Sequence, residues 1–326
     1  MSDPYATSHE DWDPPDDPMP DDLRVELAAP NMRKLVDPRT LPARLSHLRA
    51  AGESGAHCLH AFQDDDDDSL SKRLGTGTHA LLLGKPTALW EQESKASKAA
   101  RDKALKLGKP APKVTMAPRS GDEWAKFRAQ NPGATILIRS EMDAARRMVD
   151  AIRANAHADR LLSVPGLICE RTILWSQLGR ARRSTPDVRA LAGAHGPSFN
   201  AEIKTARSVA PFWFALDAKR RGYHAQLADQ SAAIAFETGS PPRESYIIAV
   251  ESSRPHVVQV YEVPQSILEA GAKLVATWME RLAMYEATNM WGGYSPRIEV
   301  LEFVERGSDV ADPSWMRDDE EGEAPT

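Results

Sequence analysis

Residues 184–206, "STPDVRALAGAHGPSFNAEIKTA", place an acid at Asp187, then a second acid and a lysine at Glu202 and Lys204, with fourteen residues between the two acids. Gly193, Gly196 and Pro197 sit near the middle of the intervening stretch. That is turn chemistry between two short extended runs. Side chains alternate along a strand, so Glu202 and Lys204 share one face of "FNAEIKTA" while Ile203 points the other way. If the two runs pair as a hairpin, two carboxylates and an ammonium converge. Burying such a trio without a further partner is costly. A divalent cation between the carboxylates removes that cost. The bland alternative is a surface hairpin carrying a Glu/Lys pair.

The elements that must position these residues can be read from the flanking pattern. "LPARLSHLRAAGESGAHCLHAF" at 41–62 suggests a helix, a Gly/Ser break and a second helical turn. "SLSKRLGTGTHALLLGKP" suggests a glycine-rich turn opening a helix that carries His79 ahead of a leucine run. Helical periodicity recurs at 121–130 and at 140–162. Strands are expected over 167–178, 181–191 and 198–206, then a helical stretch interrupted near Gly222. Two further strands, "SYIIAVES" and "HVVQVYEV", precede a long amphipathic helix from about 265 to 288. The order predicts an α/β fold: a central mixed β-sheet flanked by helices, with a helical N-terminal part.

Composition narrows the classes. Of 326 residues, 41% are hydrophobic and 27% charged, and no apolar run approaches a membrane span. No secretion signal is visible, and two cysteines, Cys58 and Cys169, make neither a disulfide framework nor an iron–sulfur or structural zinc site. A cytoplasmic protein is expected. The net charge of −6 hides an uneven distribution. Residues 1–22 carry eight acids and no Lys or Arg; residues 306–326 carry seven acids and two arginines, which leaves +7 on 23–305. Both ends read as disordered acidic tails around one domain over 23–305. The basic body permits a polyanionic partner. The "DDDDD" run at 64–68 reads as a solvated loop tip. Residues 95–113 form a lysine-rich insertion, either a DNA grip or a linker, with a helix ending at Gly108.

Taken together, these segments resemble the PD-(D/E)xK nucleases, in particular the RecE/exonuclease VIII-like, phage-type exonucleases. Asp187, Glu202 and Lys204 match the signature. "LGTGTHALLLGKP", "GDEWAKFRAQNPGATIL", "GLICERTILW" and "GYHAQLADQ" match flanking segments in the same order, over roughly residues 40–265. Where the family helix often carries a tyrosine four residues after its glutamine, this chain has Gln230. The family often keeps an arginine beside the proline of its Pro-Asp, whereas "RRST" precedes the pair here.

The resemblance implies a restriction-endonuclease-like core and Mg²⁺, with Mn²⁺ as a substitute, at two ions. Asp187, Glu202, the Ile203 carbonyl and His79 would be ligands; Lys204 would position or deprotonate water, or stabilise charge; Gln226 would orient a ligand or contact substrate. Without the family, His79 reads as a packed core histidine. Glu170, expected in an apolar strand, is either near the metal or paired with Arg171 or Arg180. Tyr223 and His224 lie on the helix after the core, and Lys219, Arg220 and Arg221 either hold phosphates or form a solvated run. The resemblance further implies 5′→3′ degradation of one strand from duplex DNA ends for recombination or repair, a ring-shaped homo-oligomer and a single-strand annealing partner. A structure-specific or restriction-type endonuclease, or a non-catalytic DNA-binding protein, are the rival readings. If the tails are acidic and disordered, deleting 1–22 and 306–326 should leave a folded protein. By circular dichroism and anisotropy it should bind duplex DNA at least as tightly at low salt.

Overall fold

The computed structural model describes residues 37–63, 69–193 and 196–295, with 298 and 300. The expected tails and the acidic run at 64–68 lie outside them. In chain order, α1 (Leu45–Glu53), α2 (Gly55–Gln63) and α3 (Leu70–Leu82) precede β1 (Thr87–Leu89), α4 (Lys95–Lys106), α5 (Gly121–Gln130) and β2 (Thr135–Leu137). Then come α6 (Arg139–Ala154), α7 (Ala156–Leu162), β3 (Ile168–Cys169), β4 (Ile173–Gln177), β5 (Arg180–Ser184), β6 (Val188–Ala190) and β7 (Phe199–Ala206). The chain continues through α8 (Pro211–Arg221), α9 (Tyr223–Thr238), β8 (Glu244–Glu251), β9 (Val258–Glu262) and α10 (Gln265–Thr288).

The central sheet runs β3-β6-β7-β8-β9. It is mixed, as expected: β7 pairs antiparallel with β6 and parallel with β8, while β9 returns antiparallel. Alternation along β7 sets its two faces. Phe199, Ala201 and Ile203 join Val188, Ile248 and Val250 in a core closed by Met148 and Ile152 of α6 and Leu161 of α7. On the opposite side, Leu227 of α9 packs with Phe214, Ile247 and Ala249. Behind α9, α10 brings Val275, Met279 and Leu282 against α1 and α2.

Two expected strands are each divided. The run at 167–178 breaks at Glu170, whose φ of +43° takes the chain out of extended conformation. Glu170 therefore lies between β3 and β4, not within an apolar strand. The run at 181–191 breaks at Pro186, which has no N–H for a ladder and restricts the residue before it. The freed pieces β4 and β5 form a separate hairpin. Its two-residue turn, Leu178–Gly179, has φ of +52° and +77°, the doubly positive pattern that matches strand twist.

The glycine-rich segment before His79 is helix rather than turn: Gly75 and Gly77 lie inside α3. A Cβ on Gly77 would sit 2.8 Å from Leu137 Cδ1, and one on Gly75 3.3 Å from Thr205 Oγ1. The glycines give up helix propensity so that α3 can approach β2 and β7 closely. The break at Gly222 holds, with a left-handed φ of +71° between α8 and α9. Helix α4 ends as expected before Gly108, which has φ +60°. The short parallel pair β1–β2 has no counterpart in the sequence reading.

Where α9 meets α10 the backbones nearly touch: a Cβ on Gly271 would lie 2.3 Å from the His224 carbonyl oxygen. Gly271→Ala must separate the two helices, an overpacking cost of about 1–3 kcal/mol. Thermal denaturation should show a fall in Tm of several degrees.

Candidate active site

The antiparallel β6–β7 pairing sets Val188 opposite Ala201 and brings Asp187 alongside β7. Asp187 Oδ2 accepts from the Ile203 backbone N–H at 2.8 Å, and its own carbonyl accepts from the Glu170 N–H at 2.9 Å. One acid thus ties together the strand bearing Glu202 and Lys204 and the turn bearing Glu170.

Glu202 is 1% exposed, and both its oxygens are engaged. Lys204 Nζ donates to Oε2 at 2.6 Å, Gln226 Nε2 donates to Oε2 at 2.8 Å, and Gln230 Nε2 donates to Oε1. Tyr223, Gln226 and Gln230 are spaced i, i+3 and i+7 on α9, so one helical face delivers all three. The Lys204 ammonium lies 5.0 Å from the centre of the Tyr223 ring. Burial pushes the Glu202 pKa up, with Asp187 adding to the rise against the opposing pull of Lys204 and Gln230. Burial disfavours the Lys204 ammonium, but Glu202 and Asp187 outweigh it, and its pKa lies above the usual value. Lys204 is a retained cation.

A second cluster adjoins the first. His79 on α3 has Nε2 2.7 Å from the Ile203 carbonyl oxygen. A carbonyl only accepts, so in the neutral ring Nε2 carries the proton and Nδ1 presents a lone pair. That nitrogen faces Glu170 Oε1 at 3.8 Å and Asp187 Oδ1 at 3.7 Å. One ligand atom from each of His79, Glu170 and Asp187 lies within 4.8 Å of the others. Acceptors facing acceptors require a positive charge, which Lys85 partly supplies by pairing with Glu170. Two carboxylates and an imidazole fit Mg²⁺ or Mn²⁺.

Asp187, Glu202, Lys204, Gln226, His79, the Ile203 carbonyl, Glu170 and Tyr223 are therefore brought together. Glu170 pairs with neither candidate arginine: Arg171 reaches Glu237 and Arg180 reaches Glu286. His224 is half-buried, lines neither adjoining cavity, and packs its backbone on Gly271. Arg220 and Arg221 both pair with Asp217, and Lys219 is exposed on the same turn. Two residues escaped the sequence reading. Gln230 stands where the family pattern suggested tyrosine, yet its spacing from Gln226 already placed both amides on one face. Lys85 had no comparable signal.

Two cavities open here and share Arg221 and Tyr223. One, of 400 Å³, is lined by His79, Lys85, Glu170 and Lys204. The other, of 740 Å³, is lined by Gln226 and Gln230 together with Arg44, Arg49 and Arg183. Next to Gln230, buried Asp229 pairs with Arg182 and accepts from Ser184 Oγ at 2.6 Å, linking α9 to the strand that leads into Asp187.

This fold and arrangement define the PD-(D/E)xK nuclease class. Residues 45–303 match the family described as "PDDEXK-like domain of unknown function (DUF3799)", and the chain belongs to that family. No curated protein matches it in sequence. The fold is similar to the crystal structure of a protein from Eubacterium rectale described as a "Putative exonuclease", with 11% identity, a TM-score of 0.51, and coverage of 76% of this chain and 82% of that one. The crystal structure of SSO0001 matches at 14% identity over 44% of this chain and 68% of that one, with a TM-score of 0.25.

Arg182→Ala would leave Asp229 buried without its cation. Loss of one partner of such a pair costs about 3–5 kcal/mol, which a lowered urea midpoint should register.

Proposed function

We propose that this protein is a metal-dependent deoxyribonuclease that degrades one strand of duplex DNA from an end. The observation carrying this reading is the cluster of His79, Glu170 and Asp187 acceptors beside the Lys204 ammonium. His79, Glu170, Asp187 and the Ile203 carbonyl would hold Mg²⁺ or Mn²⁺, while Glu202, whose oxygens are taken by Lys204, Gln226 and Gln230, would reach a second ion only by giving up one of these donors. Such an ion supplies an electrophilic contact for the phosphate and acidifies water.

The chain's own groups do the remainder. Lys204, kept charged by Glu202 and Asp187, meets the negative charge that grows on the phosphate oxygens; this role suits it better than that of general base. Gln226 and Gln230 hold Glu202 in place, so the lysine has one geometry. His79, fixed through Nε2 to the Ile203 carbonyl, keeps Nδ1 aimed at the carboxylates.

The likeness of ordered motifs to RecE-type exonucleases supports 5′→3′ polarity, a ring-shaped homo-oligomer and a single-strand annealing partner in recombination or repair. Arg44, Arg49 and Arg183 along the larger cavity offer guanidinium groups to a phosphate backbone leading into the site. Among the described residues, no helix is long and apolar enough to cross a membrane.

With Mg²⁺, linear duplex should be degraded and a closed circle of the same sequence left intact. Cutting of the circle would indicate the endonuclease reading, and chelator should abolish hydrolysis. Lys204→Ala should lower single-turnover cleavage by roughly 100-fold or more, while DNA affinity in Ca²⁺ changes far less. A near wild-type cleavage rate would remove Lys204 from the chemistry.

A further inference from the structure

Helix α4 buries almost nothing. Its one buried residue is Ser97, which donates to Glu93 at 2.7 Å and accepts from the Thr115 N–H at 3.0 Å. Ala104, half-buried, lies on the same side of the helix. Lys95, Lys98, Lys103 and Lys106 follow an i, i+3, i+8, i+11 spacing, which at 3.6 residues per turn gathers them on the opposite side, facing away from the body. Residues 95–113 hold six lysines and Arg101 against one acid, Asp102.

Among the described residues, Lys98, Lys103 and Lys106 make no ion pair. Lys95 reaches Glu123 at 3.4 Å from an 86% exposed side chain, and Arg101 is taken by Glu93 at 3.1 Å. Lys95/Lys98 and Lys103/Lys106 are like-charge pairs at i, i+3, which disfavour a helix. A helix polar on nearly every side gains little from packing. This one is nonetheless firmly rooted. Trp90, just before it, packs edge-on against Trp124 and Phe127 at 5.2 and 5.0 Å and donates to the Ala117 carbonyl at 3.1 Å. Arg119, just after it, pairs with Glu141 of α6, which also holds Arg73 of α3. A rigid mount presents three ammonium groups without an ion pair among the described residues, Lys98, Lys103 and Lys106, to solvent, with Lys95 beside them.

We infer that α4 is a second nucleic-acid contact, gripping the phosphate backbone of duplex DNA away from the site of cleavage. The choice of DNA as the polyanion rests on the nuclease reading. Membrane-surface helices need a broad apolar face; here alanines fill the helix, and the exposed Leu105 and Leu107 lie only at its C-terminal end. Lys95 follows Lys85, at the acceptor cluster, by ten positions. The helix therefore starts at most about 33–36 Å from the site, roughly ten base pairs at 3.4 Å each. Its twelve residues extend about 18 Å further, or some five base pairs.

The test compares the full chain with K98Q/K103Q/K106Q, substitutions that barely change helix propensity. Binding of a 30-base-pair duplex in Ca²⁺ would be followed by fluorescence anisotropy from about 50 to 200 mM NaCl. The slope of log Kobs against log[salt] should fall by about 2–3, since each phosphate contact contributes about 0.9. K98R/K103R/K106R should keep the wild-type slope, and K103Q alone should lose about one unit. Hydrolysis of bis(p-nitrophenyl) phosphate with Mn²⁺, which needs only the acceptor cluster and Lys204, should be the same in every variant. An unchanged slope in the Gln variants overturns the assignment, as does wild-type protein that binds phosphatidylserine vesicles and ignores duplex. Failure of wild type to hydrolyse the nitrophenyl ester would instead defeat the nuclease reading and leave the helix assignment standing on the slope.

Discussion

The Glu202 carboxylate, placed on a central strand and sealed from water, is the constraint from which the rest of the site follows. A buried carboxylate needs donors at both oxygens. Lys204 comes from the same strand face, and Gln226 and Gln230 must come from a helix lying directly over it. The position of α9 is thereby fixed, and with it the left-handed break at Gly222 that starts the helix and the close approach to Gly271 that backs it. The Asp229–Arg182–Ser184 network extends the same lock to the strand entering Pro186 and Asp187.

On the other side of the strand, α3 is drawn in by two glycines until His79 reaches the Ile203 carbonyl. Adjacent residues of β7 point to opposite faces, yet Glu202 and the main chain of Ile203 serve neighbouring clusters. β6 pairs with β7 only over Phe199–Ala201, so beyond it the Ile203 N–H and carbonyl on that edge are open to Asp187 and His79. The result is a donor-rich cluster around Glu202 beside an acceptor-rich cluster at His79, Glu170 and Asp187. A phosphate with a divalent cation is chemically matched to such a boundary, because one side receives cations and the other meets anionic oxygens.

Much of this was legible in the residues. Period-two alternation put Glu202 and Lys204 together, turn residues predicted the pairing with Asp187, and Gly222 marked its helix break. What was hidden depended on tertiary contact. Gly75 and Gly77 look like a turn because their reason for being glycine, the approach of Leu137 and Thr205, lies far along the chain. Glu170 reads as strand because its neighbours are apolar, and only its positive φ takes it out of the ladder. Lys85 carries no local pattern at all. The three-residue strands β1 and β2 are too short for periodicity to register.

The central claim is that His79, Glu170 and Asp187 form a divalent-cation site beside Lys204. Isothermal titration of the full chain with Mn²⁺, in wild type and in Asp187→Asn, tests it without reference to any substrate. The account predicts saturable binding to wild type and a large loss of affinity in the variant, which keeps the shape of Asp187 but removes its charge. Saturable binding of equal strength in both proteins, or none in wild type, would contradict it.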